Sequence, residues 1–339
     1  MRRVRYIFTI VVAGLAVSLL AGCSRSELRQ DPLEIELRPV TGIDTGDLFD
    51  DSEPGTKADP ELNGTTLGTD NSYLIYLSAS CEQNPRFLAD QLFSYTAAGK
   101  WEASSAVGEA DPVYWIPTQT MDFLGLACTT AAKTALASNF SWSAGKSSDG
   151  FTITGWDTWA NQYDIMYAYA NGLTQDVNSG VVDLDFKHAC ALLSFTAKSS
   201  MADIVKIHSI TINNLGYLGT FTVDNSRIDI EAGWGPLTAA DKRVYNIDGT
   251  DSDYNFDVPT TATKFARNLL VPQQASKTIT MTYTLPNAAT LDLQIPLPKT
   301  TWKAGYKYTY ALEFTTTEIF ITEQVVDWDD SSVPEVTVN

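Results

Sequence analysis

Through most of the chain, apolar and polar positions alternate with period two. The stretches "NSYLIYLSAS", "GFTITGW", "KIHSITINNL", "GTFTVD", "KTITMTYTL", "TLDLQIPL", "YKYTYALEF" and "EIFITEQVV" show it most plainly. They are rich in Thr, Ile, Val, Tyr and Phe, residues that suit a pleated and half-buried surface, and turn residues separate them. Only "TTAAKTALASNF" and "NPRFLADQLF" fit short helices. Many short strands at close spacing predict an all-β protein built of antiparallel β-sandwiches. A chain of 339 residues is long enough for about two domains. The best internal boundary lies near "QDVNSG", residues 175–180, where an aromatic-rich part gives way to a strand-dense one. The expected division is therefore an N-terminal sandwich over 58–178 and a C-terminal sandwich over 179–339.

The first residues break this pattern. Arg2, Arg3 and Arg5 precede a short apolar run that closes at Leu20-Ala21-Gly22-Cys23. A positive start, a short apolar run and small residues at its end mark a secretory signal rather than a membrane span. The ending resembles a bacterial lipobox, which makes 1–22 the signal peptide and Cys23 the lipidated residue. An ordinary secretory signal with a nearby cysteine is the alternative. Acyl chains on one residue anchor a protein to a membrane surface without spanning it.

Residues 23–57 form a leader with two parts. In "DPLEIELRPV", Leu33, Ile35 and Leu37 alternate, so this segment reads as a strand with one apolar side. The following "DLFDDSEPGTKADPELNG", residues 47–64, has no apolar period and carries a single basic residue, Lys57, followed by Ala58. Open loops with Gly and Pro are where proteolytic nicking concentrates. Arg38 is also basic, but Pro39 follows it and makes that bond a poor substrate for a trypsin-type protease. The bland reading of Lys57 is a linker charge. At the other end, "SSVPEVTVN" is short and β-prone, with Val336 and Val338 in phase, and suits addition to a neighbour's open sheet edge.

The chain carries 23 Lys and Arg against 41 Asp and Glu, a net charge of −18, which excludes a nucleic-acid footprint. Beyond Cys23 there are three cysteines, Cys81, Cys128 and Cys190, without metal-like spacing. An odd count in an exported chain argues against a full disulfide framework. Buried thiols are the default, and a Cys81–Cys128 pair is left open. There are two histidines. His188 reads as a core or sheet-edge residue and His208 as a strand-face residue, so a zinc site is not expected. "VDWDDSSVPE" has acids that suit either a calcium ion or a solvated turn. No nucleophile elbow, metalloprotease motif or phosphate loop is present, so neither a catalytic residue nor a cofactor is expected. Aromatics cluster in "YWIPTQTMDFLGLA" and "GWDTWANQYDIMYAYANG"; such clusters stack sugars or fill the space between sheets.

Taken in order, the lipobox, the acidic loop with its lone lysine, "VYWIP", "DLDFKHACALLSFTA", "RNLLVPQQ", "TTWKAGYKYTYALEF" and "IFITEQVVDWDD" resemble the Bacteroidales fimbrillin family. These are the lipoprotein pilins of type V pili. The resemblance implies two transthyretin-like β-sandwiches in tandem and export as a lipoprotein to the outer membrane. It implies cleavage by a trypsin-like surface protease, loss of the first strand, and filling of the vacated groove by a strand from another subunit of an extracellular fimbrium. The partners so implied are further copies of the chain, tip and anchor subunits, the protease and the outer membrane through lipid. In the family the cut often follows Arg, whereas here the basic residue is Lys57. A tip or anchor pilus subunit and a glycan-binding surface lipoprotein are the rival readings. If Cys23 is the lipid acceptor, Cys23→Ala should abolish incorporation of a palmitate analogue and delivery to the surface. Undiminished labelling of that variant would exclude Cys23.

Overall fold

The computed structural model describes residues 31–40, 73–96, 99–106, 109–143, 149–225, 230–239, 242–245, 255–266, 268–286, 288–298 and 301–327. From Pro32 onwards the chain forms one compact unit, and it is all-β, as the alternation predicts. Of the two helical stretches expected, "TTAAKTALASNF" contains the helix Thr130–Ala135, capped by the Thr129 side chain accepting from the Ala132 amide at 3.1 Å. The other is a correction. "NPRFLADQLF" enters the strand Leu88–Tyr95, which pairs on both sides, with Tyr73–Cys81 and Trp101–Ala106. A bulge disguises its period: the register slips between Leu77 and Ala79 of the partner, and Asp90 takes a left-handed conformation (φ 58°). The Lys133 ammonium, 2.7 Å from the Asp90 carboxylate, ties this bulge to the helix.

The largest sheet runs Val181–Asp185, Glu36–Val40, Trp101–Ala106, Leu88–Tyr95, Tyr73–Cys81, Met121–Thr129, Met166–Leu173 and Lys187–His188 in spatial order. Its two end strands are consecutive in the chain, with only Phe186 between them, so the sheet is rolled about its own core. Ile35, Leu37, Phe93, Trp101, Trp115, Phe123, Val182, Leu184 and Phe186 fill that core. On the opposite face of Met121–Thr129, Leu124, Leu126 and Cys128 pack against Phe151, Ile153, Trp156 and Phe221 of a second sheet. Both faces of this strand are covered, which is why "MDFLGLACT" reads as a nearly continuous apolar run.

The second sheet runs Ile230–Trp234, Gly216–Asn225, Asp149–Asp157 and Phe140–Ser143. It joins strands from both sides of the boundary expected at 175–180, with Phe221 opposite Ile153 and Val223 opposite Phe151. Two further sheets enclose a third core. In one, Ala191–Ser199 runs parallel to Tyr306–Phe314, which pairs in turn with Ile319–Asp327. In the other, Lys206–Asn213 pairs with Thr278–Thr284, and the latter with Thr290–Pro296.

The segment "TTWKAGYKYTYALEF" closes this third core through a buried hydrogen-bond chain. Trp302 Nε1 donates to Tyr310 Oη at 2.8 Å, and Tyr310 Oη donates to Glu323 Oε1 at 2.7 Å. Tyr308 Oη accepts from the Lys303 amide at 2.9 Å and donates to the Thr301 carbonyl at 2.7 Å. Gly305 turns the chain at φ +78°. The spacing of Trp302, Gly305, Tyr308 and Tyr310 is thus a structural lock on the last described strand. Tyr310→Phe leaves the buried Trp302 N–H without its acceptor, and should cost about 1–3 kcal/mol of stability. A lower denaturant midpoint at unchanged slope would show it.

Candidate functional site

The segment with an expected role that lies within the described residues is the leader strand, Glu36–Val40. It lies inside the rolled sheet and not on its rim. It runs parallel to Val181–Asp185 through five register pairs, from Glu36 opposite Val181 to Val40 opposite Asp185. On its other side it is antiparallel to Trp101–Ala106, with Leu37 opposite Trp101. Ahead of the strand, the Ile35 amide donates to the Val113 carbonyl at 2.8 Å and the Glu36 amide to the Gly180 carbonyl at 3.0 Å. The Trp115 amide donates to the Leu33 carbonyl at 2.9 Å, and the Leu33 amide donates to Gln175 Oε1 at 3.1 Å.

Of the three alternating residues, Ile35 and Leu37 are buried, at 1% and 3% exposure. Leu33 is 43% exposed, which corrects the expectation of a three-residue apolar side. It precedes the paired segment, at the mouth of the roll, where the chain is bridged to the loop at Tyr114 and no strand covers it. Burying two aliphatic side chains is worth about 1.5–3 kcal/mol each.

The slot is shaped by residues that periodicity does not single out. Gly180 has φ +86°, and a Cβ there would lie 3.0 Å from the Glu34 carbonyl and 3.3 Å from Leu33 Cβ, so glycine permits the leader's close approach. The buried Trp115 indole donates to the Gly180 carbonyl at 2.9 Å and braces the turn. The only sequence trace of these two was Trp115 within "VYWIP" and the turn-forming "NSG". Acids alternate along "VVDLD" because Val182 and Leu184 point into the core, leaving Asp183 outside.

Asp183 meets Arg38 of the leader in a two-point pair: Arg38 Nε donates to one carboxylate oxygen, and Nη2 donates to the other at 2.6 Å. Hydrogen bonding from Arg38 holds the Asp183 carboxyl below the usual carboxylate range, and hydrogen bonding to Asp183 raises the Arg38 pKa. Lys100 pairs with Glu102 at 2.6 Å, and this bond is the first cause of its raised pKa. The leader acids Glu34 and Glu36 add to it through their field. Arg38 is therefore held in a strand and an ion pair as well as being followed by Pro39.

Cys23, Lys57, Ala58, Val336 and Val338 lie outside the described residues, as does most of "VDWDDSSVPE". Cys81, Cys128 and Cys190 are buried thiols outside any disulfide, with burial pushing the Cys190 thiol up. Cys81 is opposite Met121 and Cys128 is opposite Leu74, so the two cysteines sit at opposite ends of one strand pair, too far apart to bridge. His188 is buried, with Nδ1 2.9 Å from Asp164 Oδ1, and His208 Nε2 lies 2.7 Å from Thr284 Oγ1. Among the described residues no group of three or more His, Cys, Asp or Glu side chains is placed to hold a metal ion. Trp115 and Trp156, one from each aromatic cluster, are buried at 1% and 0% exposure and fill the cores, whereas Tyr114 of the first cluster is 48% exposed.

The Arg38–Asp183 pair makes a pH prediction. Because the folded state depresses the Asp183 pKa, the pair's stabilisation is present above the ordinary carboxylate range and is lost as pH falls through the lowered value. Both partners are exposed, so solvent screening keeps the pair's margin small. Wild type should exceed Asp183→Asn in stability by that margin near neutral pH, and the two should converge in acid. Urea midpoints at both ends of the range measure it.

The chain matches the family model described as fimbrillin-like over residues 56–328. No curated protein matches it by sequence. Among solved structures, a candidate cell adhesion protein from Bacteroides uniformis is similar over 88% of this chain and 98% of its own, at 16% identity and TM-score 0.53. A fimbrial protein from Bacteroides vulgatus is similar over 87% of this chain and 99% of its own, at 14% identity and TM-score 0.51. At these identities the two structures bear on the fold, and the family match bears on kinship: the chain belongs to the fimbrillin-like family, a family of structural, adhesion-related proteins.

Proposed function

We propose that this protein is a structural subunit of an extracellular fimbrium, exported as a lipoprotein through Cys23, cleaved after Lys57 and polymerised by strand exchange. The observation that carries the reading is the position of the leader strand. Glu36–Val40 is interior to a sheet, yet the stretch 47–64, whose sequence has no apolar period, separates it from all later described strands. Cutting that stretch makes an interior strand removable. Its loss would uncover the pockets of Ile35 and Leu37 and unpaired backbone on Val181–Asp185, an edge that calls for another strand. Val336 and Val338 of a second copy have the alternation to enter the same pockets. Such head-to-tail contacts do not close on themselves and so build an open filament. We read the chain as two sandwich domains in tandem, and as a shaft subunit because it has both a cleavable loop and a β-prone tail. The glycan-binding alternative is disfavoured by the burial of Trp115 and Trp156.

Limited trypsin should give one dominant product beginning at Ala58. Arg86 is exposed, but it lies in a tight turn where its own amide donates to Asn84 Oδ1 and the Asn84 amide to Cys81 Sγ, both at 3.3 Å. Lys57→Gln should stay uncut and monomeric. In cleaved protein, Val336→Asp should abolish filaments seen by electron microscopy, because a buried unpaired carboxylate is costly, whereas Thr337→Ala should not. A main cut after Arg86, or normal filaments from Val336→Asp, would overturn the reading.

A further inference from the structure

Strand exchange leaves open which way the incoming strand runs and where the body of its subunit comes to rest. We propose that the tail enters in the leader's own direction, and that the donor subunit's body then docks on an apolar rim formed by Tyr114 and Val177 of the acceptor. This rests on the strand-exchange reading and adds a polarity and a contact surface to it.

Charge distinguishes the two directions. With the tail running as the leader does, Val336 and Val338 replace Ile35 and Leu37, and Glu335 takes the place of Glu34. Glu34 contributes to the field that raises the Lys100 pKa, so this site already suits a carboxylate. With the tail reversed, Val338 and Val336 replace Ile35 and Leu37, and Glu335 falls at the position of Arg38. It would then stand beside Asp183, acid against acid, where the leader offers a guanidinium. Like charges at contact distance oppose that alignment.

The backbone agrees. A strand in the leader's direction finds the same partners: the Val113 and Gly180 carbonyls for the amides of Val336 and Thr337, and the Trp115 amide for the carbonyl of Pro334. One bond is not reproduced, because Pro334 has no N–H to offer Gln175 in place of the Leu33 amide. A reversed strand would be antiparallel to Val181–Asp185 and would need a different ladder there.

Direction then fixes where the donor's body lies. The last described strand, Ile319–Asp327, is joined to Val336 by residues 328–335, a span of at most about 30 Å when extended. In the leader's direction this link leaves the slot at the Leu33 end. Leu33 is bracketed there by two elements. Tyr114 lies on one side, bridged to Glu34, and the helix Gln175–Asn178 lies on the other, tied to the Leu33 amide through Gln175. Tyr114 is 48% exposed and Val177, on that helix, 83%. Among the described residues neither side chain belongs to a hydrophobic core, and both stand where a second copy would press once Leu33 has left with the leader.

Cysteine pairing tests the polarity, and the three described native thiols are buried and do not compete. Cleaved acceptor with Val177→Cys is mixed with donor carrying Ser332→Cys, in parallel with an acceptor carrying Asp185→Cys at the far end of the slot. Under mild oxidation the Val177→Cys pair should cross-link and the Asp185→Cys pair should not. The opposite pattern, or filaments that form without the first cross-link, would overturn the proposal. Tyr114→Ser with Val177→Ser, which removes the apolar surface without adding charge beside the place of Glu335, tests the rim. Elongation should slow at least about tenfold, while the affinity of cleaved subunit for the peptide SSVPEVTVN stays within about twofold. Unchanged elongation would overturn the rim. A cleaved wild-type subunit that neither binds that peptide nor polymerises would instead sink strand exchange itself.

Discussion

The fold depends on a parallel pairing between residues far apart in sequence, Glu36–Val40 with Val181–Asp185. A parallel pair has no short connection to hold it, so it exists only because side chains bury on one side and backbone pairs along both. Here Ile35 and Leu37 supply the burial, and Arg38 pins the register to Asp183. The rolled sheet closes around this strand. Without it, Val181–Asp185 loses its neighbour in the sheet and is left beside the Phe186 link to Lys187–His188.

A second constraint lies where chain segments from the two sides of residue 178 meet. The Gln162 side chain donates to the Leu270 carbonyl at 3.0 Å and accepts from the Leu270 amide at 2.7 Å, so that a buried amide stands in for a strand edge. Within the later part of the chain, Gln274 does the same for Gly216, at 2.9 and 2.7 Å. The buried His188–Asp164 contact and the Trp234 indole bond to the Ala189 carbonyl at 2.7 Å fasten "KHAC", the crossover between the rolled sheet and the third core. Buried polar groups are costly unless paired, and these pairings tie the crossover in place.

Much of this architecture is legible in sequence because a strand with one covered face carries its burial as a period of two. "TITMTYT" and "YKYTYALEF" show that alternation directly. The period fails where local geometry or a second layer intervenes. The Asp90 bulge made a strand look like a helix, and double-sided burial erased the alternation in "MDFLGLACT". At the site, the apolar side of the leader was legible, but its extent was not, because Leu33 differs from Ile35 only in what the fold places over it. Gly180 and Asp183 share the stretch "NSGVVDLD" while Trp115 lies some 65 residues earlier, and no local pattern announces that they converge on one strand.

The same geometry explains why exchange would need a covalent cut. Replacing Ile35 and Leu37 by Val336 and Val338 removes one methylene at each pocket, a deficit of about 0.5–1.5 kcal/mol each. The incoming strand also gives up the guanidinium at Asp183 and the amide bond to Gln175. Contact for contact, the leader fits its slot better than the tail does. While it remains tethered, its effective concentration adds to that advantage, and a second subunit cannot compete. Under the proposed exchange, cutting between the leader and the later strands would turn the leader into a dissociable peptide that is diluted once it leaves, whereas each docked tail would arrive with a whole subunit. A poorer strand would then replace a better one because its subunit would bring a second contact surface along with it.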